Sequence, residues 1–444
     1  MSAAMSAVDH WIEEYRRREP ELPGARLAWM GRLRAQALDR FAELGLPAAR
    51  SEAWKYTDVK PLAKHSFHIP RALRLESDAI APFVLGGAGA HCLVFVDGRF
   101  APELSEPRAL PPGVTVTSLA RAVEQDPDVL QAHLGRCADD GAHGFAALNT
   151  AFMGDGAFIR LARGAVVETP IQLLFVASGA ANSAAFVRNL VVAERDSHAL
   201  IVESYASASE ARYFTSAVTE VVVGANASVE HYKLVRESEQ AYHVGAIHVH
   251  QERDSRYTSH NVASGGRLVR NDVAAVLNAE GVECTLNGLY LTRGRQRVDN
   301  FTRIDHRNPR SISREWYKGV LDGRSRGAFT GRVVVHPGAQ HSDAQQANNN
   351  LLLSEGAEAD SRPQLEIHAD DVKCSHGTTV GQLDPDELFY LRSRGVDYEL
   401  ARSLLVYAFA GDIIERMRLA PVRAQLEGEL TGRLLHGRSP RELA

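Results

Sequence analysis

The 444-residue chain is about three times a common domain in length, enough for one to three domains with a sizeable core. Hydrophobic residues make up 45% and charged residues 24%, which excludes a disordered or collagen-like chain. Fifty Lys and Arg stand against 55 Asp and Glu, a formal charge of -5 that gives no general pull toward nucleic acid or an anionic membrane but leaves local patches open. The first residues carry no basic, then apolar, targeting pattern, and no 18 apolar residues run together, so a soluble cytoplasmic protein is expected. Cys92, Cys137, Cys284 and Cys374 form no CxxC pair, and no disulfide framework is expected.

Several chemistries drop out by motif. The six lysines, at 55, 60, 64, 233, 318 and 373, never follow a glycine, so the Gly-Lys-Ser/Thr of a P-loop is absent. No GxGxxG opens a helix, and HExxH is missing. Gly323-Arg324-Ser325-Arg326-Gly327 fits a nucleophile elbow by spelling alone. The β-branched, Gly-broken residues after it predict a turn into a strand, not the helix an elbow needs.

In chain order, residues 1–150 read as a mainly helical domain. Val8, Trp11, Ile12 and Tyr15 fall at helical spacing, and Leu27, Met30, Leu33, Leu38, Phe41 and Leu44 line a second apolar stripe. Trp54-Lys55-Tyr56 reads as a packing corner, and Cys92 to Val96 followed by Asp97-Gly98 as a strand and turn. Residues 151–384 change to short apolar runs broken by Gly, Asn, Asp and Ser. Within them Glu194-Arg195-Asp196-Ser197 recurs as Glu252-Arg253-Asp254-Ser255, and turn signals return every 25 to 30 residues or so. That predicts a coiled β-solenoid, with Asn348-Asn349-Asn350 as an amide stack at a coil corner. Residues 385–444 return to helix: Asp384 as N-cap, Pro385 at the first position, a helix to Arg394 ended by Gly395, then two more through Leu400–Met417 and Leu426–Leu434.

The densest group of metal-ligand types is Leu365 to Gly377. If 372–376 is a strand, Cys374 and His376 face one side about 7 Å apart, within reach of one metal or cluster. Two ligands are too few for an iron–sulfur cluster, so any cluster here would be transient or shared across an interface. For an arbitrary CxH pair, a small buried thiol and a hydrogen-bonded imidazole is the commoner arrangement. His248, His250 and the residues around His341 read as surface or corner positions.

The run Asp370-Asp371-Val372-Lys373-Cys374-Ser375-His376-Gly377-Thr378-Thr379-Val380-Gly381-Gln382-Leu383-Asp384, with Glu387 to Gly395 after it, closely resembles the signature of the SufB/SufD family of iron–sulfur cluster assembly proteins, in its SufD branch. The resemblance extends through Ser51 to Thr57, Tyr317 to Leu321, Ala339-Gln340 with Asp343 to Gln346, and Asn348 to Ser354. SufB-like chains carry a Glu-His-Glu type of sequence where this one has Cys374-Ser375-His376-Gly377. His341-Ser342 departs from a more usual Lys-Thr.

The resemblance implies a right-handed parallel β-helix between two helical domains, pairing with SufB through the β-helix and binding the ATPase SufC through the C-terminal helices. Residues 386 to 419 would transmit the ATPase's movement. Asp386, Leu388, Phe389, Tyr390, Arg394, Leu404, Leu405, Ala408 and Phe409 are the expected docking residues. Deleting 386–444 is expected to remove docking and spare the β core. His376, and less firmly Cys374, would hold or serve a nascent iron–sulfur cluster shared with SufB, with no permanent cofactor and no catalytic residue in this chain. Two alternatives are a β-helix carbohydrate-active enzyme, for which Asp370-Asp371 is the sole carboxylate pair, and a homodimeric structural solenoid without a metal role.

Overall fold

The computed structural model describes residues 3–48, 51–70, 73–85, 89–138 and 143–434. Helices α1 (Ala3–Arg18), α2 (Ala28–Leu44), α3 (Lys60–Ala63) and α4 (Ser77–Ile80) come first, then β1 (His91–Val96), β2 (Arg99–Phe100), β3 (Val114–Ser118), α5 (Leu119–Gln125), α6 (Pro127–His133) and α7 (Gly144–Phe152). The strand region follows: β4 (Ala157–Leu161), β5 (Val166–Ala177), β6 (Ser183–Ala193), β7 (His198–Ser207), β8 (Tyr213–Val223), β9 (Ser228–Arg236), β10 (Tyr242–Gln251) and β11 (Arg256–Ala263). It continues with β12 (Leu268–Leu277), β13 (Glu283–Thr292), β14 (Arg297–His306), β15 (Ile312–Leu321), β16 (Arg326–Val335), β17 (Asp343–Leu352), β18 (Glu358–Ile367) and β19 (Lys373–Gly381). Helices α8 (Pro385–Ser393), α9 (Tyr398–Glu415) and α10 (Ala420–Leu434) close the described chain; residues 435–444 and the side chain of Leu434 lie outside it.

From β5 onward odd-numbered strands form one parallel sheet and even-numbered strands the other, so the chain alternates between two sheets as a β-solenoid. β1 extends the odd sheet in parallel beside β5, and β3 joins the even sheet antiparallel to β4. The lumen between the sheets holds one apolar core running from Leu93 to Ala369.

One corner of the coils explains the sequence repeat. Asp196, Asn226, Asp254, Arg310 and His341 have φ near +60°, and Gly281 has φ +74°. Asn, Asp and Gly tolerate this left-handed region best, and it turns the chain from one sheet to the other. The backbone N–H of each of Asp196, Asn226 and Asp254 donates to a carbonyl of the next coil at 2.8–3.1 Å, and Ser197 and Ser255 hydroxyls donate back to Glu194 and Glu252 carbonyls at 2.6 Å. His341 occupies this same corner, its N–H donating to the Asp371 carbonyl at 2.6 Å and its Nδ1 lying 2.9 Å from Asp371 Oδ2.

Other expectations need correcting. Asn348-Asn349-Asn350 is in the middle of β17, not at a corner. Asn348 and Asn350 point into the lumen, where Asn350 donates to Asn348 at 2.7 Å and Asn348 to the Tyr290 hydroxyl at 3.1 Å, while Asn349 faces out and accepts from Thr379. The amides replace apolar packing by bonding one another, as buried polar groups must. Leu44, at the end of α2, is 38% exposed, because the stripe of α2 splits between two clusters that close around Met30 and Phe41 before it. His248 lies within β10, half-buried, and burial pushes its imidazole down to about 4. Gly323 to Ser325 is the expected turn, with Gly323 at φ +70° and the buried Ser325 hydroxyl bonded to Thr292.

The two helical layers attach through the motifs that carried the resemblance. Trp54 is buried at 1% exposure, and the Arg270 guanidinium lies 4.6 Å over its ring. Arg270 also pairs with Asp299 at 2.6 Å and with Asp272 at 2.5 Å, Asp272 reaches His143 at 3.1 Å, and the Thr57 hydroxyl donates to Asp299. The corner is a packing site with an internal cation. On the opposite sheet, Lys318 donates to the Phe409 carbonyl at 3.1 Å, sits 4.6 Å from the Phe409 ring and pairs with Asp412 at 2.9 Å, fastening α9.

Candidate functional site

Strands β18 and β19 form the outer edges of the two sheets. In β19, Cys374 stands in register with Ala344, His376 with Gln346 and Thr378 with Asn348. Those three β17 residues are buried in the lumen, so Cys374, His376 and Thr378 continue the lumen-facing rows into the last coil, with no further coil over them. The expected strand and shared face are both present. Their environments differ: Cys374 is half-buried against the lumen core, whereas His376 is exposed.

Burial pushes the Cys374 thiol up, and a backbone hydrogen bond at Ala344 offsets only part of that. The thiol is therefore protonated near neutral pH and is not an activated nucleophile; binding a metal would require it to lose its proton. Among the described residues no three His, Cys, Asp or Glu side chains converge as a metal site. Asp370 and Asp371 lie in the bend between β18 and β19, where the chain changes sheets.

Beneath His376 the same lumen row holds Gln346 and then Glu315, so Glu315 is about 10 Å away at two strand spacings. Gln346 donates to Glu315, and Gly331 opposite them has no room for a side chain, since a Cβ would lie 2.0 Å from the Gln346 amide nitrogen. Burial pushes the Glu315 carboxyl up to about 7, against the hydrogen bond from Gln346. Its folded-state pKa being raised, the stability it contributes is fully present below about pH 4.5 and is lost as pH rises to about 7. We expect Glu315→Gln to match the parent near pH 4.5 and exceed it by about 2–3 kcal/mol at pH 8, measured by urea denaturation. Equal stability at pH 8 would show that the carboxylate is relieved by some other means.

Deeper in the lumen is a charged group that sequence reading missed. Glu203 meets His231 at 3.0 Å, Glu237 meets His243 at 2.8 Å, and Lys233 is buried beside them, donating to Asn271 at 3.2 Å. The signal was present: Glu203, His231 and Lys233 occupy strand positions whose parity matches the apolar, inward residues Ile201 and Val235.

At the C-terminal side Asp384 caps α8 by accepting from the Asp386 N–H at 2.8 Å. Phe389 and Tyr390 are 72% and 57% exposed, with Arg394 5.1 Å over the Tyr390 ring. Asp386 and Ala408 are exposed, and Leu388, Leu404 and Leu405 half-buried. Phe409 is half-buried, with Lys318 engaging its carbonyl and ring against the solenoid. Against the expectation that deleting 386–444 spares the β core, the described C-terminal helices cover part of that core. Val406, Ile413, Ile414, Val422 and Leu426 cover Tyr232, Leu234, Val262, Leu289, Val320 and Leu351 of the odd sheet. Each side chain so covered is worth about 1.5–3 kcal/mol, together comparable to a whole folding free energy.

The fold and this end of it define a class: a two-sheet solenoid flanked by helical layers, with its terminal coil uncovered. The family model for the SUF system FeS cluster assembly SufBD core domain matches residues 175–409, and that for the SufBD protein N-terminal region matches residues 5–173. The chain is 35% identical over 402 residues to an iron–sulfur cluster assembly SufBD family protein of Synechocystis, covering 88% of each. It is 32% identical over 415 residues to the iron–sulfur cluster assembly protein SufD of Escherichia coli (90% of this chain, 92% of that one) and 28% identical over 424 residues to SufD of Bacillus subtilis (90% and 92%). The chain belongs to the SufBD family of iron–sulfur cluster assembly proteins. No helix among the described residues is long and apolar enough to cross a membrane.

Proposed function

We propose that this chain is the SufD-type scaffold subunit of a cytoplasmic SUF complex, without catalytic residues of its own. It pairs with SufB through the β-helix, so that a nascent cluster forms where the two meet and His376 supplies a ligand or handles a proton. The observation that carries this reading is the uncovered His376 in a lumen-facing row at the solenoid's last coil. Cys374 ranks second, because its thiol is half-buried and protonated. Two groups cannot hold a cluster alone, which calls for ligands from the partner. Docking of the ATPase SufC falls to α8 and the exposed side of α9, led by Phe389 and Tyr390.

The test is co-purification of the tagged chain with its own SufB and SufC counterparts, with iron and sulfide quantified. Recovery of the chain alone, free of iron and sulfide, would end the reading. Phe389→Asp should weaken ATPase binding by about thirtyfold, as for a central interface aromatic, with little change in melting temperature because the ring is in solvent. Undiminished ATPase capture by Phe389→Asp and Tyr390→Asp together would move the docking surface elsewhere.

A further inference from the structure

On the outer face of the even sheet, one row in register runs Ala184, Phe214, Tyr242, Leu268, Arg297, Arg326 and Glu358. The first four pack beneath the N-terminal helices. Where that cover ends the row becomes arginine. The corner just before it adds Arg267, Arg295 and Arg324, and Pro61 of α3 forms a wall. Together they line a cavity of about 490 Å³.

Most arginines on this solenoid have acidic partners: Arg160 with Glu194, Arg253 with Glu280, Arg256 with Glu283, Arg314 with Asp343. In the cavity only Arg326 does, with Glu358 at 2.8 Å. Among the described residues Arg267, Arg295, Arg297 and Arg324 have no carboxylate within 4.0 Å. Adjacent parallel strands hold Arg297 and Arg326 less than about 5 Å apart at the backbone. Four guanidinium groups without carboxylate partners, Arg295 and Arg324 exposed and Arg267 and Arg297 half-buried, give one concavity of a chain with net charge -5 a local positive field that suits an anion. The neighbouring His65 carries the same sign of field: burial, then Arg212 and Arg267, push its imidazole down.

We propose that this cavity binds a small molecule through a diphosphate group. Guanidinium forks match phosphate oxygens two at a time, and the volume suits a ligand of nucleotide size. The diphosphate is either free or borne by a nucleotide.

The probes are inorganic pyrophosphate and ADP, titrated by calorimetry into the full chain alone in 100 mM NaCl. Both should bind with Kd below about 1 mM, and Arg297→Gln with Arg324→Gln should weaken them at least tenfold at unchanged melting temperature. Arg253→Gln, at a paired arginine elsewhere on the solenoid, should leave binding as it was. Tighter pyrophosphate marks a free anion as the ligand, and tighter or equal ADP a nucleotide. Absence of binding by both probes, or binding that survives the double substitution, overturns the proposal.

Discussion

Arg270→Ala should cost about 3–5 kcal/mol of folding stability, the range for removing one partner of a buried charge pair. The guanidinium is 1% exposed and holds Asp299 and Asp272, which it would leave uncompensated beneath the N-terminal helices. The same group stacks between Trp54 and Phe301, at 4.6 and 5.0 Å, so packing goes with the charge. Arg270→Lys should recover part of the loss, because an ammonium restores the charge but neither the fork nor the stacking. Urea denaturation of the full chain measures both. A loss under about 1 kcal/mol would mean that Trp54 and Thr57 anchor the N-terminal layer by other contacts.

His376→Ala should abolish cluster accumulation on the assembled complex while leaving the melting profile within the small range of exposed substitutions, about 0.5 kcal/mol. The side chain stands in solvent on a strand whose backbone pairing to β17 does not depend on it. What is lost is an imidazole, a group that can ligate iron or relay a proton. Cys374→Ser should show a smaller deficit, since the thiol lies half in the core. Undiminished iron and sulfide in His376→Ala would make the residue structural, and a larger deficit at Cys374 would reverse their order.

Much of the fold was legible because coil turns are local chemistry. Asp196 and Asp254 accept a left-handed backbone and the serine after each ties the turn, so a repeat of four letters reported a repeat of coils. The start of α8 was legible for the same reason, in Asp384 and Pro385. Long-range packing was not. Asn348 and Asn350 face the lumen because Tyr290, 58 and 60 residues earlier, offers its hydroxyl there. Leu44 fits a helical stripe by spacing yet lies beyond the surface that covers the rest of it.

The sequence by itself determined the solenoid, its helical flanks and the pairing of Cys374 with His376 on one strand face, because period-two alternation and turn residues act over a few positions. The tertiary structure alone decided that this face is the lumen side of an uncovered last coil, which half-buries Cys374 and leaves His376 in solvent. It alone brought Glu315 beneath Gln346 and gathered Arg267, Arg295, Arg297 and Arg324 at one corner. Stacking coils about 5 Å apart puts residues some 30 positions distant side by side, and whether each ends buried, paired or exposed depends on what covers that coil.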